Sequence, residues 1–300
     1  MTNGYKRRPP HLRRTWLFVG GADEAAQAAA LASGADVIIA DLEDFTPPEL
    51  RSKARDLIPK LMDECRSRGI VAGVRINPLA GDGQADLAAV MRGRPDCVLL
   101  PKTASAQDIA DLDRAVSGIE GKLPVVRGAT EIVPNVETAQ GLINTYHIIG
   151  ASERVKACLV AAEDMAASLG AERSRDGLEL VYARQRFLVE CNAAGVIAID
   201  CPYTFSDAEG ARADTLYARR LGYKAKSLVA PAHVAVIKDV LTPDEAQVAQ
   251  ARKIVGAFDA ARGAGQDRVD VDGSLVEVPT YMNAKRLISR YEELKAYERG

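Results

Sequence analysis

Residues 131–164 read EIVPNVETAQGLINTYHIIGASERVKACLVAAED, and this stretch decides the fold. An extended apolar run, EIVPNV, gives way at Glu137 to a segment with helical spacing. After a polar connector a second apolar run, ACLVAA, ends on acids, and helix-like sequence resumes at Asp164. Near-continuous hydrophobicity in both runs is the mark of parallel strands covered on both faces. Glu137 and Asp164 therefore stand at the carboxyl ends of neighbouring strands. From there two carboxylates can converge on one hard divalent cation. Magnesium suits such a pair, because it takes one or two protein carboxylates and completes its octahedron with water and substrate oxygens.

Six further runs repeat the pattern on either side: TWLFVG, DVIIADLED, VAGVRIN, CVLLPK, VIAIDCPY and AKSLVAP. Segments such as DEAAQAAALASG and GLELVYARQRFLVECNAAG, with helical spacing, lie between them. Eight strand–helix units over about 250 residues predict an α/β fold, a (β/α)8 TIM barrel. An open doubly wound sheet is the rival, but no G-x-G-x-x-G follows the first strand. The predicted organisation is an N-terminal arm over 1–14, a barrel over 15–262 and a C-terminal extension over 263–300. The extension reads as a hairpin about Asp272-Gly273 and then a charged helix that closes the mouth or reaches a neighbouring subunit. Capping boxes are predicted at Thr242–Glu245 and Ser206–Glu209.

Polar residues gather where the strands end: Asp41, Glu43 and Asp44, then Arg75 and Asn77, then Lys102, Glu137, Asp164 and Asp200. In a barrel these ends share one face, which is where active sites are built. Asp41, Glu43 and Asp44 cannot all point the same way on a strand, and Asp41 is the expected structural partner. Arg75 suits either an ion pair with Asp41 or Glu43 or the stabilisation of a developing anion. Glu137 or Asp164 alone is equally suited to capping the following helix. Together, beside Arg75 and the DLED run, they favour a metal site. His147 and His233 read as ordinary partly buried histidines.

Bulk properties narrow the partners. Lys plus Arg number 39 and Asp plus Glu 41, a balance that argues against a nucleic-acid groove or an anionic membrane surface. No apolar run approaches the ~18 residues of a membrane span, and no signal-peptide core follows the basic start. Five scattered cysteines without C-x-x-C spacing suggest reduced thiols and a cytoplasmic location. The three histidines are far apart and no H-E-x-x-H occurs, which argues against zinc.

From about Arg13 to Ile288 the chain resembles the HpcH/HpaI aldolase and citrate lyase β-subunit family. The matching pieces are RTWLFVGG from Arg14, DLED from Asp41, VRIN from Val74, Pro101-Lys102, VET from Val136, AEDM from Ala162 and DGSLVEVP from Asp272. The resemblance implies a Mg2+-dependent carbon–carbon lyase, cytoplasmic and assembled as a homotrimer or homohexamer. Its substrate would be a 3-hydroxyacyl thioester, on CoA or on the pantetheine of an acyl carrier, such as a citryl, malyl or citramalyl ester. Glu137 and Asp164 would bind the metal, and Glu43 and Asp44 would hold its waters. Arg75 would neutralise the enolate oxygen, and Glu277 would serve as acid or base from a neighbouring subunit. Arg14 and Lys102 would help accept the thioester. No Schiff-base role is implied for Lys102. The chain departs from the family at Gly20, often proline there, and at Tyr223–Lys226 and Val229–Pro231. At Glu277, lyases of free CoA esters carry aspartate. Two alternatives remain: a metal-dependent aldolase that releases pyruvate from free hydroxy-keto acids, and a barrel subunit without turnover.

Overall fold

The structure, a computed structural model, describes residues 5–299. Two compact units divide the chain at Leu241/Thr242. The first is the predicted barrel. Its strands are β1 (Thr15–Gly20), β2 (Val37–Asp41), β3 (Val71–Arg75), β4 (Cys97–Leu100), β5 (Glu131–Val136), β6 (Ala157–Val160), β7 (Ile197–Asp200) and β8 (Ala225–Leu228). They pair in sequence order, all parallel, and β8 closes on β1. The intervening helices are α1 (Glu24–Ala32), α2 (Arg51–Ser67), α3 (Gly83–Val90), α4 (Ala106–Glu120), α5 (Ala139–Ile143), α6 (Thr145–Ile149), α7 (Glu163–Leu169), α8 (Val181–Ala193), α9 (Ala208–Leu221) and α10 (Val234–Leu241).

Strand alternation sorts the side chains into two layers. Trp16, Phe18, Ile39, Leu99, Val133 and Ile199 belong to the cluster that fills the barrel. Leu17, Ile38, Val74 and Val98 point outward into the larger cluster beneath the helices. Each such side chain, fully buried, contributes about 1.5–3 kcal/mol. In β5 the inward positions are those in step with Val133, which brings Asn135 and then Glu137 to the inner face.

Helix starts differ in detail from expectation. Asp207, not Ser206, caps α9 by accepting from Gly210 N–H, so no capping box forms there. Thr138, next to Glu137, caps α5 by accepting from Gly141 N–H. That cap fixes where the chain leaves β5.

The arm is tied down across the N-terminal end of the barrel. Tyr5 donates to Asp96 at 2.7 Å, Arg7 pairs with Asp96 at 2.9 Å, and Arg13 binds Glu131 with both terminal nitrogens at 2.6 and 2.9 Å. Residues 1–4 of the predicted arm lie outside the described residues.

The second unit holds α11 (Glu245–Gly263), β9 (Val269–Val271), β10 (Ser274–Val276) and α12 (Val278–Arg299). Asp272 and Gly273 adopt φ of 57° and 76°, the left-handed pair that a two-residue hairpin turn requires. Phe258 of α11 packs with Val271 and Val276 and stacks on Tyr281 at 4.7 Å. The predicted boundary at 262/263 thus differs from this division. The buried face of α11 carries Phe258 into the hairpin cluster, so the helix goes with the tail. Its cap is Asp244 in a box with Gln247, rather than Thr242 with Glu245.

Candidate active site

Register places the first two charges side by side. Asp41 at the end of β2 pairs across the ladder with Arg75 at the end of β3. The guanidinium grips Asp41 with two bonds, at 2.7 and 2.6 Å. Asp41, fully buried, also accepts the N–H groups of Glu43 and Phe45 at 3.0 Å each. It therefore shapes the loop after β2 and aims Arg75, the structural role expected of it. The same fork faces Glu43 at 3.0 Å, Asp44 at 3.6 Å and Glu137 at 3.7 Å. The Phe18 and Phe45 rings lie 5.1 and 5.9 Å from its central carbon. Burial opposes this charge, but the Asp41 bonds and the surrounding carboxylates outweigh it and raise the Arg75 pKa. Arg75 is both an ion-pair partner and a cation of the mouth.

Glu137 is 1% exposed at the end of β5. One carboxylate oxygen accepts the Lys102 backbone N–H at 3.0 Å; the other, Oε1, has no hydrogen-bond partner among the described residues. Lys102 presents that N–H from a left-handed conformation, φ 50°. Its ammonium reaches Glu43 at 2.7 Å, which raises the Lys102 pKa. Burial pushes the Glu137 carboxyl up to about 8; Arg75 pulls it down, while Glu43 and Asp164 push it further up. Burial likewise raises the Glu43 pKa, against Arg75 and Lys102. Asp164 sits half-buried in the first turn of α7. Its neighbour Glu163 is engaged elsewhere, accepting from Thr204 at 2.6 Å and Arg173 at 3.0 Å.

A cavity of about 190 Å³ opens among these groups, lined by Asp44, Arg75, Glu137 and Asp164 against Phe18 and Leu159. Among the larger clefts, two of about 280 and 730 Å³ lie at the opposite end of the barrel, lined by residues such as Tyr5 and Asp96 or His11 and Lys156. Neither gathers carboxylates in this way. The donor set fits magnesium. It is all oxygen, with no histidine or cysteine among the lining residues. A buried carboxyl with one unpartnered oxygen and two acidic neighbours favours a proton or a cation beside it.

Arg14 is a correction. It immediately precedes β1, so it lies at the N-terminal end of the barrel, buried and paired with Asp36 through its backbone N–H at 2.7 Å and its side chain at 3.3 Å. A thioester at the mouth does not meet it. Asp200 also turns away from the mouth. It joins Arg184, Lys226 and Asp214 in a buried network, with Arg184 at 2.9 and 2.7 Å and Lys226 at 2.6 Å. Asn77 is consumed by Leu42 O and Asp86 at 2.9 and 2.8 Å. His233 faces the Ser206 carbonyl, His147 is exposed on α6, and neither lines the cavity. Glu277 belongs to the second unit, exposed between β10 and α12. At Gly20 a Cβ would lie 2.8 Å from the Phe45 carbonyl, so the loop after β2 has closed up against this departure from the family. Among the lining residues that escaped the sequence reading, such as Phe45, Thr204 and Ser227, is Asn135, and its signal was a polar residue in step with Val133 and Glu137.

A family model described as HpcH/HpaI aldolase/citrate lyase matches residues 14–231. Citrate lyase subunit beta of Escherichia coli is 32% identical over 289 residues, 96% of each chain. A (3S)-malyl-CoA thioesterase of Cereibacter sphaeroides is 29% identical over 96% of this chain and 97% of its own. The solved structure of CitE from Mycobacterium tuberculosis, in complex with magnesium, acetoacetate and coenzyme A, gives a TM-score of 0.74 at 25% identity. It covers 93% of this chain and 98% of that one. The barrel, the acids at its mouth and these matches agree: the chain belongs to the HpcH/HpaI aldolase/citrate lyase family.

Proposed function

We propose that this protein is a Mg2+-dependent carbon–carbon lyase that cleaves, or in reverse forms, a 3-hydroxyacyl thioester. The products are a 2-keto acid and an acetyl thioester, with citryl, malyl and citramalyl esters as the candidate substrates. The observation that carries this reading is Glu137. Its unpartnered Oε1 and raised pKa share one cavity with Asp164 and Arg75.

Glu137 and Asp164 would hold the cation, which when bound supplies a Lewis acid for the carboxylate and adjacent oxygen of the keto-acid half. The chain's own groups do the rest. Arg75 keeps its charge at any working pH and turns the edge now facing Glu137 at 3.7 Å toward the thioester oxygen. As the hydroxyl proton leaves to a carboxylate of the cluster, the electrons of the breaking C–C bond pass to the thioester as an enolate. A proton on that carbon then gives the acetyl thioester. Asp41 positions Arg75, and the Lys102 N–H positions Glu137. Glu43 and Asp44 hold water at the rim. Glu277 is the proposed acid, delivered by a neighbouring subunit of a homotrimer or homohexamer. The thioester on CoA or carrier-bound pantetheine enters past Lys102.

The relatives named malyl-CoA thioesterases favour a second reading, hydrolysis of the thioester after or instead of cleavage. One experiment separates the two: incubation with citryl-, malyl- and citramalyl-CoA, with Mg2+ and after chelation, following keto acid and free thiol separately. Keto acid that vanishes on chelation and in Asp164→Ala supports the lyase. Thiol without keto acid supports the hydrolase and overturns the lyase.

A further inference from the structure

The cleft of about 280 Å³ at the N-terminal end of the barrel is the electrostatic reverse of the mouth. Arg7, Arg66 and Arg94 line it, and Asp96 is the one acid among its described lining residues. The mouth cavity instead sets Arg75 among Asp44, Glu137, Glu163 and Asp164. Asp96 is already spent: it accepts from Tyr5 O–H at 2.7 Å, Arg7 Nε at 2.9 Å and Ala72 N–H at 2.9 Å. The cations are not. Arg7 uses Nε and Nη1 on Asp96, the Ala129 carbonyl and Glu131, and its Nη2 makes no hydrogen bond among the described residues. The Arg94 side chain makes none among them either. Its one ion-pair contact there, Asp63, stands at 3.9 Å and is held by Arg66 at 2.5 Å.

The backbone supplies a second observation. Arg94 sits at φ 53°, ψ 61°, a left-handed conformation that strains a residue with a Cβ and is free for glycine. The turn itself is pinned by Arg66, which donates to the Gly93 and Arg94 carbonyls at 2.8 Å each. A glycine would make the same turn without strain, so the Arg94 side chain adds charge to the cleft rather than support to the chain. Backbone strain of this kind gathers where ligands bind. The rest of the wall is largely apolar, made by Met91, Pro95, Leu123 and Val125.

A carboxylate is filled by one guanidinium fork. A phosphate monoester has three terminal oxygens and nearly two negative charges at neutral pH, so it accepts from two forks at once. An apolar wall beside the arginines suits an organic body on that phosphate. We propose that this cleft is a second ligand site, which binds a small organic phosphate between Arg94 and Arg7 with its apolar body against Met91 and Leu123. The site lies at the opposite end of the barrel from the mouth and does not depend on how the mouth is read.

Phenyl phosphate is the probe, titrated calorimetrically into the full-length protein with Mg2+. Inorganic phosphate is the control for the organic body and phenol the control for the charge. The parent is compared with Arg94→Gly, Arg94→Lys and Asp164→Ala, and thermal unfolding of each is recorded without probe. The parent should bind phenyl phosphate more tightly than either control. Arg94→Gly removes the fork and relaxes the turn, so it should bind about 10- to 100-fold more weakly yet melt no lower than the parent. Arg94→Lys keeps the charge without the fork and should fall between the two. Asp164→Ala should bind as the parent does. No binding by the parent, or binding by Arg94→Gly within twofold of it, overturns the proposal. A loss in Asp164→Ala as large as that in Arg94→Gly also overturns it, because the probe then sits at the mouth. Inorganic phosphate or phenol bound as tightly as phenyl phosphate overturns it as well, since the cleft would then read only half of the ligand.

Discussion

At the N-terminal end of the barrel, Asp36, Asp96 and Glu131 stand at or just before β2, β4 and β5, and cations match them, with Arg7 shared between Asp96 and Glu131. Asp36 has Arg14 and Lys238, Asp96 has Arg7, and Glu131 has Arg13. At the other end Asp41, Glu43, Asp44, Glu137 and Asp164 share Arg75 and Lys102. One Glu137 oxygen there has no hydrogen-bond partner among the described residues. Burial works against the Asp36 carboxylate at one end and the Glu43 and Glu137 carboxylates at the other. Around Asp36 the cations Arg14, Lys238 and Arg8 win, and its pKa falls. At the mouth burial wins, and Glu137 rises to about 8. The same residue types thus make mortar at one end and, on the function proposed above, a binding site at the other, and the ratio of acids to cations separates the two. A charge whose removal costs stability but not turnover belongs to the first class, and the converse marks the second.

The largest test lies in the buried network of Arg184, Asp200, Lys226 and Asp214. Lys226 is wholly buried, so Lys226→Met leaves Asp200 and Asp214 short of a cation and should cost about 3–5 kcal/mol in urea unfolding. The kcat per folded molecule should stay near that of the parent. A lost kcat at unchanged stability would move this network into the active site and break the comparison. Glu137→Gln should do the opposite. The amide can still accept from Lys102 N–H, and the metal-free protein should melt no lower than its parent. Turnover should fall roughly 10²–10³-fold. A stability loss as large as that of Lys226→Met would make Glu137 structural.

A smaller effect tests the N-terminal end by pH. Burial works against the Glu120 carboxylate, but Arg154 and the N–H groups of Thr130 and Gly128 hold its pKa at about 2. Because the folded value lies below the unfolded one, this stabilisation is complete above the ordinary glutamate pKa. It is lost as pH falls from there toward about 2. Charge-assisted bonds of this kind contribute about 1.5–3 kcal/mol. Glu120→Gln should therefore melt lower than its parent at pH 7, and the gap should close by pH 2. A gap that persists at pH 2 would mean the loss is one of packing.

Much of this was readable in the chain. The eight apolar runs are all strands, because a parallel barrel buries both faces of each and leaves an unbroken hydrophobic trace. Strand polarity turned the acids and bases that follow those runs into one face, and Glu43, Asp44, Arg75, Lys102, Glu137 and Asp164 meet there. Arg14 shows where resemblance outran physics. It precedes β1, so the direction of that strand already excluded it from the mouth. Asp200 ends its strand much as Glu137 follows its own, but its side chain turns outward to Arg184, a partner 16 positions away that no local pattern announces. Asn135 was hidden for the opposite reason: it sits inside an apolar run, where only strict alternation marks it as facing inward. The division before α11 depends on Phe258 meeting Val271 and Val276, a contact that forms only once the hairpin has folded back.

Lys102 gives the finest test, because its backbone and side chain sit on different sides of the comparison. The backbone N–H holds Glu137, and it does so at a φ of 50° that costs a residue with a Cβ roughly 1 kcal/mol relative to glycine. The ammonium, on a side chain 47% exposed, pairs with Glu43, a contact worth less than about 1 kcal/mol so near solvent. Lys102→Gly keeps the N–H, relaxes the strain and removes the ammonium. Its stability should match the parent within about 0.5 kcal/mol as the two changes offset. Lys102→Ala loses the ammonium and keeps the strain, so it should be the less stable of the two by about 1 kcal/mol. If the backbone is what positions Glu137, both variants should lose turnover equally and by no more than several-fold. A loss in both as deep as that of Glu137→Gln would assign the ammonium to the reacting atoms. The rim of the mouth would then be chemistry, and the working charges would number one more than the buried geometry suggests.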